Sequence, residues 1–149
     1  MDSDTIIVEL VVAEDPEDLS LRNDAWSLAL DQQAFGPGRM LVATADRAGR
    51  LLAIAHAPTT DPPHLGLACC LDHTFRNGII PEAAVVFNDE WVEWGPPPAE
   101  LRFRFVTARE QCAQFGVYLV DWFCCDAANE LIRSARMAFE PEADWWDAA

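Results

Sequence analysis

The chain contains no lysine, and this absence limits the partners that it can bind. All 10 basic residues are arginine, against 25 acidic residues, and the formal net charge is −15. Contact with the phosphate backbone of a nucleic acid needs clustered cations, which this composition does not supply. The composition therefore argues against nucleic acid as a partner and predicts an acidic, solvated surface.

Long apolar runs and a basic leader are also missing. The opening segment, MDSDTIIVEL, carries acids but no base, unlike a signal peptide. The longest apolar runs are far shorter than the roughly 20 residues that a membrane-spanning helix needs. We therefore expect a cytoplasmic protein with no membrane partner.

The five cysteines do not show the Cys-x-x-Cys spacing of zinc or redox sites. Two neighbouring pairs, Cys69-Cys70 and Cys124-Cys125, accompany the single Cys112. Buried free thiols in a reducing compartment are the expected arrangement.

The residues that are present predict one α/β domain spanning residues 1–149. With 51% apolar residues, the chain is long enough to bury a core. The connection Arg47-Ala48-Gly49 is short enough to favour an antiparallel hairpin. The pattern leaves residues 127–139 open between helix and strand. Strands are predicted at 6–13, 39–46, 50–57, 83–88 and 117–125, and helices at 15–35, 64–78 and 99–115. This order predicts layers of helices packed around a mixed sheet.

A polar and aromatic cluster follows the apolar strand at residues 83–88. Side chains just beyond the end of a core strand are where α/β proteins usually place their functional groups. The cluster consists of Asn88, Asp89, Glu90, Trp91, Glu93 and Trp94, and it precedes a Gly-Pro-Pro-Pro turn. It is the candidate site of this sequence.

The order of the elements, and the residues at their joints, resemble the RadC-like branch of the JAMM (MPN-type) metalloprotein superfamily. The resemblance covers residues 15–136 and implies a three-layer α/β sandwich around a mixed, mostly antiparallel sheet, similar to the cytidine-deaminase arrangement. The segments that carry it are DPEDL, MLVATADRAGRLLAIAHAPTT, LGLACCLDHTFRNGIIPEAAVVFND and FGVYLVDWFCCD.

The resemblance also implies that the zinc site of the family is degenerate here. In active members the strand ends in His-x-His-Pro, followed by a serine and an aspartate; the two histidines and the aspartate bind zinc. Phe87 and Asp89 stand at the histidine positions with Asn88 between them, Pro97 stands at the serine and Glu100 at the aspartate. Phenylalanine cannot bind a metal, and two carboxylates without imidazole make a poor zinc site. We therefore expect no catalytic residues, no metal and no cofactor.

A catalytically inactive domain of this kind is expected to act as a protein-interaction or scaffolding module. Tryptophan is enriched at interface hot spots, and an acidic rim steers cationic partners. The expected partner is a basic protein or a second copy of the chain. The predicted surface comprises Asp89, Glu90, Trp91, Glu93 and Trp94; the alternative is that the tryptophan rings close the edge of the core.

A rival hypothesis is a hydrolase that uses a divalent metal ion held by Asp89, Glu93 and Glu100. Carboxylates, Glu90 included, are the hard oxygen ligands that magnesium, manganese and calcium prefer. The alternative is an ordinary solvated acidic surface.

Other titratable residues leave further possibilities open. His56, His64 and His73 could bind zinc only if tertiary structure brought them together, and helix capping or partial burial is the simpler expectation. Asp121 lies in an apolar strand and needs a partner if buried, for which Arg102 or Arg104 is the prediction.

Overall fold

The computed structural model describes residues 6–12, 20, 38–60, 62–89, 99–126 and 131–136. They form one sheet of order β1-β3-β2-β4-β5-β6, in which β4 and β5 are parallel and the other neighbours antiparallel. The prediction of an α/β fold with a mixed, mostly antiparallel sheet is confirmed. The elements are β1 (Glu9–Val12), β2 (Arg39–Ala45), β3 (Leu51–Pro58), α1 (Pro63–Arg76), β4 (Ala83–Asp89), α2 (Ala99–Gln114), β5 (Tyr118–Asp126) and β6 (Leu131–Ser134).

The predicted hairpin is present between β2 and β3. Its turn is closed by Asp46, whose carboxylate accepts a hydrogen bond of 2.9 Å from the Arg50 backbone N–H. Gly49 has φ of 96°, a conformation that glycine adopts without steric cost. The ambiguous stretch at 127–139 contains a strand, β6, within its described part. The helix predicted at 15–35 falls on residues outside the described ones, apart from the isolated bridge between Ser20 and Arg50.

Both described helices pack on one face of the sheet, here called the helical face. Its buried residues come from alternate positions of the strands, as the two-residue period of a strand requires. Gly66 allows α1 to approach closely, because a Cβ there would lie 3.2 Å from the Thr60 hydroxyl oxygen and 3.4 Å from the Met40 sulfur. The helices contribute Leu67, Cys70, Leu71, Leu101, Phe105, Ala108 and Cys112 to this cluster.

The opposite face of the sheet, here called the second face, is also buried. Leu41, Val85, Phe87 and Phe123 lie at its centre with almost no exposed surface. Within the described ranges no helix packs on this face, so the prediction of a third layer falls on residues outside them. Both faces of the central strands are therefore committed to the core, which explains their nearly continuous apolar sequence.

Neither of the two described helices is long and apolar enough to cross a bilayer.

Candidate functional site

The candidate site lies where β4 ends, beside the ends of two neighbouring strands. Asn88 is opposite Met40 of β2 and Cys124 of β5. Asp89 is opposite Cys125 of β5. Because β4 and β5 are parallel, their carboxyl ends meet at the same edge of the sheet, as expected for a site in an α/β protein.

Phe87, at the first histidine position of the resemblance, is part of the core. Its ring is buried on the second face and stacks on Phe123, with 5.3 Å between ring centroids and 7° between ring planes. Such a pair contributes about 0.5–1.5 kcal/mol beyond the burial of its area. Phe87 thus contributes to the packing of the core and offers no donor atom to a metal ion.

Asn88 points toward the helical face and is fully buried. Its side-chain oxygen accepts a 3.2 Å hydrogen bond from the Thr59 hydroxyl, in the loop that connects β3 with α1. The neighbouring Thr60 hydroxyl accepts from the Gly66 N–H at 2.9 Å and donates to the Pro62 carbonyl at 2.8 Å. The threonine-bearing turn therefore ties the beginning of α1 to the end of β4.

Asp89 holds the beginning of β2. Its Oδ2 accepts a hydrogen bond of 2.5 Å from the backbone N–H of Gly38, a residue far away in the sequence. The carboxylate that the rival hypothesis assigns to a metal ion is thus hydrogen-bonded to the beginning of β2.

Most of the remaining predicted site residues lie outside the described part of the chain. Glu100 lies in the first turn of α2, but its side chain is outside the described part of the structure. No group of three or more histidine, cysteine, aspartate or glutamate side chains able to hold a metal ion occurs among the described residues. The members of the predicted surface and degenerate site that lie outside the described residues are Glu90, Trp91, Glu93, Trp94 and Pro97.

A second polar cluster, which the sequence analysis missed, joins three strands on the second face. The ring of His56 lies between Arg39 and Glu9: the Arg39 Nη2 is 2.7 Å from Nδ1, and the Glu9 Oε2 is 3.4 Å from Nε2. Arginine can only donate, so Nδ1 accepts and the neutral ring carries its proton on Nε2. Burial and the Arg39 charge lower the pKa of His56, while Glu9 opposes them. The sequence shows that these three polar residues lie in predicted strands. It does not show that they meet, because that depends on the register that places Glu9 opposite His56.

Four of the five cysteines are buried, as predicted, Cys69 is partly buried, and none forms a disulfide. Burial raises the pKa of the Cys70 and Cys112 thiols to about 12. The pKa of the partly exposed Cys69 is also raised, by burial and by the nearby Asp72. These thiols therefore carry little thiolate at neutral pH and lack the activation of a nucleophile.

Asp121 is fully buried, on the second face. Its carboxylate accepts hydrogen bonds from the Ser134 hydroxyl, from the Arg136 N–H at 3.0 Å and from the Trp122 N–H at 2.7 Å. Arg102 and Arg104, the predicted partners, lie on α2, which packs on the helical face. The structure instead brings Ser134 and Arg136 to this carboxylate, because β6 pairs with β5.

Comparison with known proteins yields no relative. No protein-family model, no curated protein and no solved structure matches the chain. The relation to RadC-like domains remains a prediction from the residues that carry the resemblance.

Proposed function

We propose that the chain is a catalytically inactive RadC-like domain that acts as a protein-interaction or scaffolding module. The proposal is supported chiefly by the position of Phe87. The residue at the first metal-ligand position of the resemblance is an aromatic ring buried against Phe123. A catalytic zinc site needs three protein ligands around an open coordination position, and phenylalanine offers no donor atom.

The two residues that follow Phe87 give further support, because their side chains organise the fold. Asn88 is bonded to Thr59, and Asp89 to the backbone of Gly38. These contacts fasten the turn at Thr59 and the beginning of β2 to the end of β4. An anchored strand end next to the proposed surface suits recognition, since preorganised surfaces lose less entropy on binding.

The proposed contact surface is formed by Asp89, Glu90, Trp91, Glu93 and Trp94. A net charge of −15 favours a basic partner, because opposite fields accelerate encounter. Within this surface the tryptophans are expected to supply most of the binding energy and the acids to supply orientation.

A two-part experiment tests the proposal. Protein purified without added metal is analysed for metals by plasma mass spectrometry and assayed for peptide hydrolysis. A cross-linked partner is then identified, purified and titrated against the wild type and Trp91→Ala. We expect no stoichiometric metal and an affinity reduced at least about tenfold by Trp91→Ala.

The matched control is Phe103→Ala, which removes an exposed aromatic ring from α2 and should leave the affinity unchanged. Stoichiometric zinc together with hydrolysis would contradict the proposal and restore an enzymatic function.

A further inference from the structure

The outer edge of β1 is a second surface with the properties of a binding site. β1 is the end strand of the sheet and pairs with β3. Among the described residues no strand pairs with its other side. The N–H and C=O groups along such an edge form a template for an added strand.

The side chains of this edge segment (residues 6–12) divide between a partly buried side and an exposed side. Ile6, Val8 and Leu10 pack against the cluster of the helical face. On the opposite side Ile7 is 73% exposed and Val11 is 54% exposed. The packed side chains hold the strand on the sheet, whereas Ile7 and Val11 expose β-branched apolar surface to water.

Natural edge strands are usually protected from strand addition by short length, charged side chains, proline or bulges, and of these β1 has its four-residue length and the single charge of Glu9. This segment contains neither proline nor lysine, and its pairing with β3 runs from Glu9 to Val12 without a register shift. Val12, on the opposite side of the strand from Val11, is also 54% exposed. The edge therefore has the features of a strand that accepts another, the mode of recognition known as β-augmentation.

The charge of the edge segment and of the whole chain indicates which kind of partner can bind to β1. Glu9 is the sole charged residue of the edge segment, and its side chain is 65% exposed. A second copy of this chain would bring another net charge of −15, which repels at long range. An arginine or lysine on an added strand would pair with Glu9 across the strands, an arrangement that stabilises sheets.

We propose that β1 is a strand-addition site for an extended basic segment of another protein, with apolar side chains that cover Ile7 and Val11. This inference rests on the proposed function, because it names the class of partner that the module binds. The added segment continues the sheet beyond β1, and its cations lie next to Glu9.

The test uses a synthetic peptide of about eight residues, an ordinary strand length, in which valine alternates with arginine. Binding is measured by fluorescence anisotropy and mapped by amide chemical shifts in NMR spectra. An acidic protein attracts any cationic peptide, so the decisive control has the same sequence with an N-methylated backbone. The N-methylated peptide keeps the charge but lacks the donors that a ladder needs. We expect it to bind at least about tenfold more weakly, and we expect the shifts to concentrate in residues 6–12.

A variant pair gives a second readout. The double variant Ile7→Ser/Val11→Ser should weaken binding about tenfold or more. Phe103→Ser, which exchanges a side chain that is 73% exposed elsewhere, should bind as the wild type does. All three positions are exposed, so the variants are expected to fold, which far-ultraviolet circular dichroism checks.

Three results would overturn the inference. They are equal affinity for the N-methylated peptide, shifts that map away from residues 6–12, and a dimer that Ile7→Ser/Val11→Ser dissociates, since a dimer would make a second copy the occupant. A purified partner that loses affinity with Trp91→Ala but not with Ile7→Ser/Val11→Ser would refute the edge site alone and leave the proposed function in place.

Discussion

The two ends of the sheet are formed by strands of equal length that are anchored in different ways. β6 is held by Asp121, whose buried carboxylate accepts from Ser134 and from the Arg136 backbone. β1 carries Glu9, whose exposed carboxylate lies 3.8 Å from Arg39 and 3.4 Å from His56. One edge is fastened by a charge that water does not reach, and the other by a charge that water screens.

This difference determines how much each contact contributes to stability. A buried carboxylate leaves its donors unsatisfied when it is removed, and each such donor costs about 1–3 kcal/mol. An exposed ion pair contributes about 0–1 kcal/mol, because solvent replaces the partner. The β6 edge should therefore depend on a single residue, whereas the β1 edge should not.

The largest effect is expected from Asp121→Ala. It removes the acceptor of the Ser134 hydroxyl and of the Arg136 N–H inside the core. We expect the free energy of unfolding to fall by about 3 kcal/mol or more, measured by urea denaturation. Asp72→Ala, which removes a half-exposed carboxylate from α1, is the control and should cost less than about 0.5 kcal/mol. Similar losses for both variants would remove the distinction between a buried and an exposed anchor.

A smaller loss is expected from Ser134→Ala, because the carboxylate keeps its two backbone donors, from Trp122 and Arg136. One hydrogen bond to a charged group contributes about 1.5–3 kcal/mol, which sets the expected loss in urea denaturation. The double variant Asp121→Ala/Ser134→Ala should be less destabilised than the sum of the two single losses, since both act on the same contact. Strict additivity would show that the two side chains stabilise the fold independently.

The sequence predicted secondary-structure elements better than it predicted the contacts that hold the end strands of the sheet. Alternation and turn residues predicted the described strands and helices apart from β6, because these signals are local along the chain; the stretch that contains β6 was left open between helix and strand. The prediction of the partners of Asp121 was wrong, because Ser134 and Arg136 come close to Asp121 only when β6 pairs with β5. The Glu9, Arg39 and His56 cluster was missed for the same reason, since it needs the order β1-β3-β2.

The candidate site stays a prediction, but its place in the fold could be inferred from the sequence. Its position at the end of β4 follows from the apolar run that stops at Phe87, a local signal. The hydrogen bonds of Asn88 and Asp89 could not be predicted in this way, because their partners, Thr59 and Gly38, lie far away in the sequence. A residue type indicates that a side chain needs a partner, but only the tertiary fold identifies the partner.

The β1 edge should be sensitive to pH through His56. Burial and Arg39, from β2, lower the pKa of this ring below its ordinary value of 6.5, against the opposing effect of Glu9 from β1. The unfolded chain therefore takes up a proton at His56 before the folded chain does. The contribution of the neutral ring is present above about pH 6.5 and is lost as the pH falls through the folded pKa.

Urea denaturation of the wild type and of His56→Gln, at about pH 7.5 and about pH 5.5, isolates this contribution from that of the other acids. We expect the wild type to lose more stability than His56→Gln between the two values, by less than Ser134→Ala costs. An equal or larger loss in His56→Gln would show that the ring is protonated in the folded state.

The smallest effect is expected from Glu9→Gln, which removes the exposed charge and keeps the size of the side chain. The free energy of unfolding should fall by less than about 1 kcal/mol, because β1 is held mainly by its ladder with β3 and by its buried apolar face. The same change should lower the pKa of His56 further, since Glu9 is the group that raises it. An NMR titration of the His56 ring measures that shift.

Two results would contradict these expectations: a rise in the pKa of His56, or a loss of unfolding free energy comparable to that of Asp121→Ala. Either would mean that Glu9 anchors the β1 edge as strongly as Asp121 anchors the β6 edge. If both expectations hold, β1 can exchange its ion pair for a cation on an added strand at little cost to the fold.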